Sequence, residues 1–200
     1  SWWVFIPPLP NKAEADKKAA TASLQGVRGR RVTAEATLSA DVVHAVLGCT
    51  PAAMEAFWRI CVLGGVMSGT IGVQGHFANG LAALYIATGQ DAACVAESAV
   101  GITRMEVRDD GALYASVTLP NVMVGSVGGG TGLPGQHACL DILGLGGAGN
   151  APALAEVAAA LCLAGELSIV GAFATGDFSR AHKILARRRR RGGARKQAEA

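Results

Sequence analysis

Four short segments of this 200-residue chain carry residue types that can do chemistry. Asp16-Lys17-Lys18 sets one carboxylate beside two ammonium groups. A lysine held near a partner charge in a dry site stabilises a developing oxyanion. A solvated charge cluster has the same spacing, and spacing alone favours it. Gly89-Gln90-Asp91 places an acid among Ala87, Ala92 and Ala93. Burying that acid is costly unless it is paired or functional, and an exposed helical face is an equal alternative. Gly125-Ser126-Val127-Gly128-Gly129-Gly130-Thr131 bares successive backbone N–H groups, which let a phosphate or carbonyl approach the main chain. Within residues 125–131 there is no GxGxxG spacing and no GK[ST] ending, so a tight structural turn is the better reading of spacing alone. His182, near Arg180 and Lys183, is a candidate proton donor. Its cationic neighbours favour neutral imidazole, and a solvent-facing histidine at a fraying helix end is the plainer reading.

Other polar residues fit no standard site. Glu166 reads as a buried acid partnered by a backbone or lysine group. His44, His76 and His137 stand singly, without ligand spacing. Cys49, Cys61, Cys94, Cys139 and Cys162 are odd in number, form no CxxC and lie in apolar stretches. They read as reduced, buried, small apolar residues in a reducing compartment rather than as a zinc site. No GxSxG elbow occurs.

The elements that must position these groups are legible in outline. Val32 to Leu38 alternates apolar and polar residues, the mark of a strand with one wet face. Ser39 and Thr50-Pro51 read as two helix starts, the first leading through Val42 to Leu47 and the second through Met54, Phe57 and Trp58. A long small-residue helix is predicted from His76 to about Val100, carrying Asn79 and Asp91 on a similar azimuth. Its Gly80 and Gly89 predict close packing against other backbone. Asp109-Asp110-Gly111 marks a hairpin between 101–107 and the alternating strand 113–119. Helices are predicted at 137–145 and from 153 to about 174. Local antiparallel pairing beside long helices makes the fold class α+β.

Composition narrows the function classes. Half the residues are apolar but only 5% are aromatic, so Ala, Val and Leu must build the core. The 27 glycines show no Gly-X-Y period, which excludes collagen. Residues 187–200 hold seven of the 18 Lys and Arg and one of the 15 acids, leaving 11 bases against 14 acids before them. The body is therefore mildly acidic, which excludes a globally basic nucleic-acid binder. Five adjacent arginines, Arg187 to Arg191, remain as a salt-dependent phosphate tether, without interleaved aromatics for base stacking. No membrane segment is predicted, because Glu156 and Glu166 divide the longest apolar tract into pieces shorter than the roughly 20 residues of a span.

Several segments, taken in order, resemble a known family. They are Asp16-Lys17-Lys18; Ser68-Gly69-Thr70-Ile71-Gly72; Ala78-Asn79; Ile86-Ala87-Thr88-Gly89-Gln90-Asp91-Ala92-Ala93; residues 124–131; Ala164-Gly165-Glu166-Leu167-Ser168; and Arg180-Ala181-His182. The resemblance is to the catalytic domain of 3-hydroxy-3-methylglutaryl-CoA (HMG-CoA) reductase, of the eukaryotic-type class I. It implies an NADPH-dependent, two-step reduction of a thioester to mevalonate and free CoA, with no metal. By motif, Lys17 would stabilise the oxyanion, Asp91 would sit against that lysine, and His182 would protonate the departing thiolate. Asp16, Lys18 and Asn79 would contact the hydroxymethylglutaryl end, and Gly128, Gly129 and Gly130 would approach the nicotinamide cofactor. The resemblance also implies a homodimer with shared sites and a catalytic domain facing the cytosol, whether the parent is anchored in the endoplasmic reticulum or cytoplasmic.

The chain departs from the family pattern in places. The motif holding the family's catalytic glutamate and the DxMGxN motif do not occur. Ile60, with Arg59 beside it, stands where a substrate-contacting lysine is expected. One residue is missing between Gly72 and His76, and Phe173, Phe178 and Lys183 deviate around the histidine. The expectation is a C-terminal part of the large, substrate-binding domain at 14–186. An unmatched segment at 1–13 precedes it and an Arg-rich, disordered tail at 187–200 follows. Such a piece is expected to be inactive or nearly so; a degenerate, non-catalytic binding or dimerisation module is the alternative.

Overall fold

The computed structural model describes residues 28–176. Asp16, Lys17, Lys18 and His182, together with the Arg-rich segment, lie outside them. Strand β1 (Arg30–Leu38) is followed by helices α1 (Ala40–Leu47), α2 (Pro51–Ser68) and α3 (Phe77–Ala87). A 3-10 turn (Ala92–Cys94) leads into the short α4 (Val95–Ser98), then strands β2 (Ile102–Val107) and β3 (Leu113–Val122). A second 3-10 turn (Gly129–Gly132), α5 (Pro134–Ile142) and α6 (Ala151–Ala174) complete the described chain. The mixture of helices with an antiparallel sheet is α+β, as the sequence predicts.

The sheet has the order β1-β3-β2, antiparallel throughout. β1 follows its pattern: Val32, Ala34, Ala36 and Leu38 pack on the core, while Thr33, Glu35 and Thr37 are exposed. The wet face is tied by cross-strand pairs, Thr33 to Thr118 at 3.0 Å and the Tyr114 hydroxyl to Glu35 at 2.7 Å. Central β3 buries Leu113, Ala115, Val117 and Leu119 completely. Each large aliphatic side chain so buried contributes about 1.5–3 kcal/mol. The β2–β3 hairpin turns through Gly111 at φ 79°, and Asp110 Oδ1 accepts from Ala112 N at 3.1 Å. Both predicted caps form: Ser39 accepts from Val42 N and Thr50 from Ala53 N, with Pro51 opening α2.

Two expectations are corrected. The helix predicted from 76 to about 100 ends at Ala87, and Gly89 adopts φ 70°. A left-handed residue cannot continue an α-helix, so the following Asp91 starts a new turn instead. Asn79 and Asp91 therefore do not share a helical face, and the longest helix is α6. The cysteines are not all buried either: Cys61 is exposed on α2 and Cys139 is half-buried, whereas Cys49, Cys94 and Cys162 are buried.

As a whole, α6 is long and apolar enough to cross a membrane by length and composition. Here it serves as the core helix. Leu154, Ala158, Cys162 and Val170 are buried, and its small residues let it pack against the sheet and α3.

Candidate functional site

The glycine loop and the Asp91 segment meet at the C-terminal end of α3. Gln90 N donates to Tyr85 O at 2.8 Å, closing the helix over the left-handed Gly89. That closure turns the Gln90 side chain onto the glycine loop. Gln90 Nε2 donates to Gly125 O at 2.9 Å and Gln90 Oε1 accepts from Gly125 N at 2.8 Å. One amide thus satisfies both polar groups of a single loop residue. Next to this clamp the two backbones touch: a Cβ on Gly130 would stand 2.8 Å from Gly89 O. The sequence attached no role to Gln90. Its signal was only its place between a glycine and a candidate acid.

Asp91 is exposed and occupies the N-cap of the 3-10 turn, where its Oδ1 accepts from Ala93 N at 3.0 Å. Gly128 (φ 81°) and Gly129 (φ 55°) are exposed, with no atom near the space a side chain would fill. The turn is held from within, Thr131 Oγ1 donating to Gly128 O at 2.7 Å. An open main-chain edge of this kind can receive a flat ring or a carbonyl from one side. The residues fit that part of a nicotinamide cofactor. No group of three or more His, Cys, Asp or Glu able to hold a metal occurs among the described residues.

Beneath the site, Tyr85 and Ser98 are fully buried. The Tyr85 hydroxyl donates to Ser98 Oγ at 2.9 Å, and Ser98 Oγ accepts from Met123 N at 3.0 Å. Burial pushes the Tyr85 phenol up to about 12. This chain of bonds ties α3, α4 and the segment entering the glycine loop into one unit.

The opposite end of α3 is built on Glu166, which is 1% exposed. Its Oε1 accepts from Gly75 N at 2.7 Å and His76 N at 2.6 Å, so the partner predicted as backbone or lysine is backbone. The His76 ring packs into a slot that glycine provides on two helices. A Cβ on Gly165 would overlap the imidazole, and one on Gly80 would stand 3.0 Å from it. Asn79 is exposed on the first turn of α3, at the end away from Asp91.

A second carboxylate went unread in the sequence. Glu97 is 1% exposed and pairs through Oε2 with Arg28 at 3.4 Å. Gly29 N donates to the buried Asn121 side chain beside it. Neither residue belongs to a periodic pattern, so neither gave a signal. Together they anchor the chain where it enters β1. Within the described residues, then, the structure joins Gly89 and Gln90, the neighbours of Asp91, to the glycine loop at Gly130 and Gly125, and sets Asn79 at the other end of α3.

Comparison with known proteins bears on this arrangement. The family model for hydroxymethylglutaryl-coenzyme A reductase matches residues 9–187. A 3-hydroxy-3-methylglutaryl-coenzyme A reductase of Halobacterium salinarum is 48% identical over 86% of this chain and 44% of its own length. One from Methanocaldococcus jannaschii is 43% identical over 92% of this chain and 46% of its own. The Dictyostelium discoideum protein of that name, numbered 2, is 45% identical over 84% and 34%. Archaeal and eukaryotic relatives thus match alike, and the chain spans less than half the length of each. The match across the glycine loop, the Gln90 clamp and the Glu166 end of α3 shows that this chain belongs to the hydroxymethylglutaryl-coenzyme A reductase family.

Proposed function

We propose that residues 14–186 are the large-domain part of an NADPH-dependent, eukaryotic-type HMG-CoA reductase, facing the cytosol and acting as a homodimer with shared sites. The observation that carries this reading is the Gln90–Gly125 clamp, because it ties the residue before the exposed Asp91 to the glycine loop. Lys17 holds the oxyanion formed from the thioester carbonyl, and Asp91 sets the charge around that lysine. His182 delivers a proton to the departing CoA thiolate. Asp16, Lys18 and Asn79 bind the hydroxymethylglutaryl end. Gly128, Gly129 and Gly130 present main chain to the nicotinamide, which supplies hydride when bound.

The exposed apolar stripe of α2, with Ile60, Leu63 and Met67 at helical spacing, supports the homodimer. The test joins this chain to the N-terminal portion of the Methanocaldococcus relative and follows NADPH oxidation with HMG-CoA. Turnover that falls by about 100-fold or more in Asp91→Ala and Lys17→Ala supports the reading. No turnover in the joined protein overturns it. The 200-residue chain alone is expected to stay at background.

One observation favours a second reading, a non-catalytic dimerisation module. Ile60 is 66% exposed where the resemblance calls for lysine. Under that reading the joined protein dimerises in light scattering, and Lys17→Ala changes nothing else.

A further inference from the structure

At the Glu166 end of α3, about 470 Å³ of cavity opens between α2, the segment before α3, β2 and α6. This volume is in the range of small-molecule sites. Phe57, Trp58, Ile169 and Phe173 give it apolar walls, with the Phe57 and Phe173 rings stacked 5.3 Å apart. Two residues with little exposure give it polar lining. Glu166 spends Oε1 on two backbone N–H groups and keeps Oε2 unbonded. Thr103 is 1% exposed, and its hydroxyl has no partner. Buried polar groups are ordinarily satisfied, so the orphaned Thr103 hydroxyl, on one cavity with the Glu166 carboxylate, marks where a ligand's polar atoms belong.

The charge of the lining selects the ligand. Its one carboxylate is Glu166, and no Lys, Arg or His lines it among the described residues. Such a wall repels the polyanionic substrate and cofactor of the proposed reductase and attracts a cation. Aromatic faces beside the carboxylate favour a cation further. We infer that this cavity binds a small amphipathic amine, its ammonium on Glu166 Oε2 and Thr103 Oγ1 and its apolar body against Trp58 and Phe173. Neither Asp91 nor the glycine loop lines the cavity, so the inference is tested by binding and not by turnover.

The test titrates the full chain by calorimetry with phenylbutylamine, phenylbutanol and phenylbutyrate. The amine is expected to bind about tenfold or more tightly than the alcohol, and the carboxylate weakest. Glu166→Gln is expected to erase the preference for amine over alcohol, and Thr103→Val to weaken the amine a few-fold. Should Glu166→Gln fail to fold, Cys61 gives a second readout in the unaltered protein. Its thiol lines the same cavity, so bound amine slows its alkylation, read by peptide mass spectrometry. Equal binding of amine and alcohol, tighter binding of the carboxylate, or alkylation of Cys61 indifferent to amine overturns the inference. Amine affinity that rises sharply when Lys17 and Lys18 are both changed to Ala also overturns it, because a lysine of the chain is then the occupant.

Discussion

Gly130 lies against Gly89 so closely that a methyl on Gly130 would stand 2.8 Å from Gly89 O and 3.2 Å from its Cα. The contact is backbone on backbone, and backbone cannot rotate away as a flexible side chain can. Gly130→Ala is therefore expected to push the glycine loop off α3, at a cost of roughly 1–3 kcal/mol. Gly89→Ala meets the same contact and adds the strain of φ 70°, so it is the more damaging change. Gly129→Ala carries the positive φ without a neighbour and costs only about 1–2 kcal/mol. Urea titration of the three variants checks this order. Gly129→Ala as the worst of them contradicts the packing account.

The Gln90 side chain holds Gly125 by both its N–H and its C=O. Gln90→Leu leaves both loop groups to find water, at roughly 1–3 kcal/mol each if they stay buried. Hydrogen exchange at the Gly125 amide is expected to accelerate strongly, while amides in β3 keep their protection. Equal acceleration in β3 indicates global destabilisation rather than a released loop.

The sequence was legible where one physical demand acts on a residue. β1 alternates because one face is wet, and Ser39 and Thr50 stand where a helix start needs an acceptor. Gly89 answers two demands at once. Its close approach to other backbone was readable from a glycine in a small-residue helix, but its left-handed φ was not. That turn divides what the sequence reads as one helix and makes Asp91 the exposed cap of a new turn rather than a residue within the helix. Asp91 before Ala92-Ala93 is itself a cap signal of the Ser39 kind, masked in the sequence by the apolar run around it. Glu97 and Asn121 were invisible for another reason. Their partners, Arg28 and Gly29, are 69 and 92 residues away, and no local pattern encodes such a pairing.

Gly165 and His76 are matched in the same way across two helices. Gly165→Ala is expected to displace the imidazole and cost about 1–3 kcal/mol. Removing the ring should relieve the overlap, so His76→Ala placed on Gly165→Ala is expected to recover part of the loss. A double-mutant cycle in urea then gives a coupling of about 0.5–3 kcal/mol. Strict additivity means that the ring does not fill this slot.

Alkaline pH probes the core between the two ends of α3. Burial pushes the Tyr85 phenol from its ordinary 10.0 to about 12. Burial, with the Glu166 charge as a lesser cause, pushes the Cys162 thiol from 9.0 to about 12. Both groups keep their protons in the folded chain after the unfolded chain has lost them. Their contribution to stability is therefore intact below pH 9 and falls as the pH rises to about 12, first through Cys162 and then through Tyr85. Tyr85 alone accounts for roughly 2–3 kcal/mol of that fall. Tyr85→Phe loses the bond to Ser98 Oγ and is expected to be about 1 kcal/mol less stable at pH 8. The same variant has no phenol to ionise, so its denaturation midpoint should decline less steeply between pH 10 and 12. Parallel declines in variant and parent show that Tyr85 ionises as easily folded as unfolded, which its burial forbids.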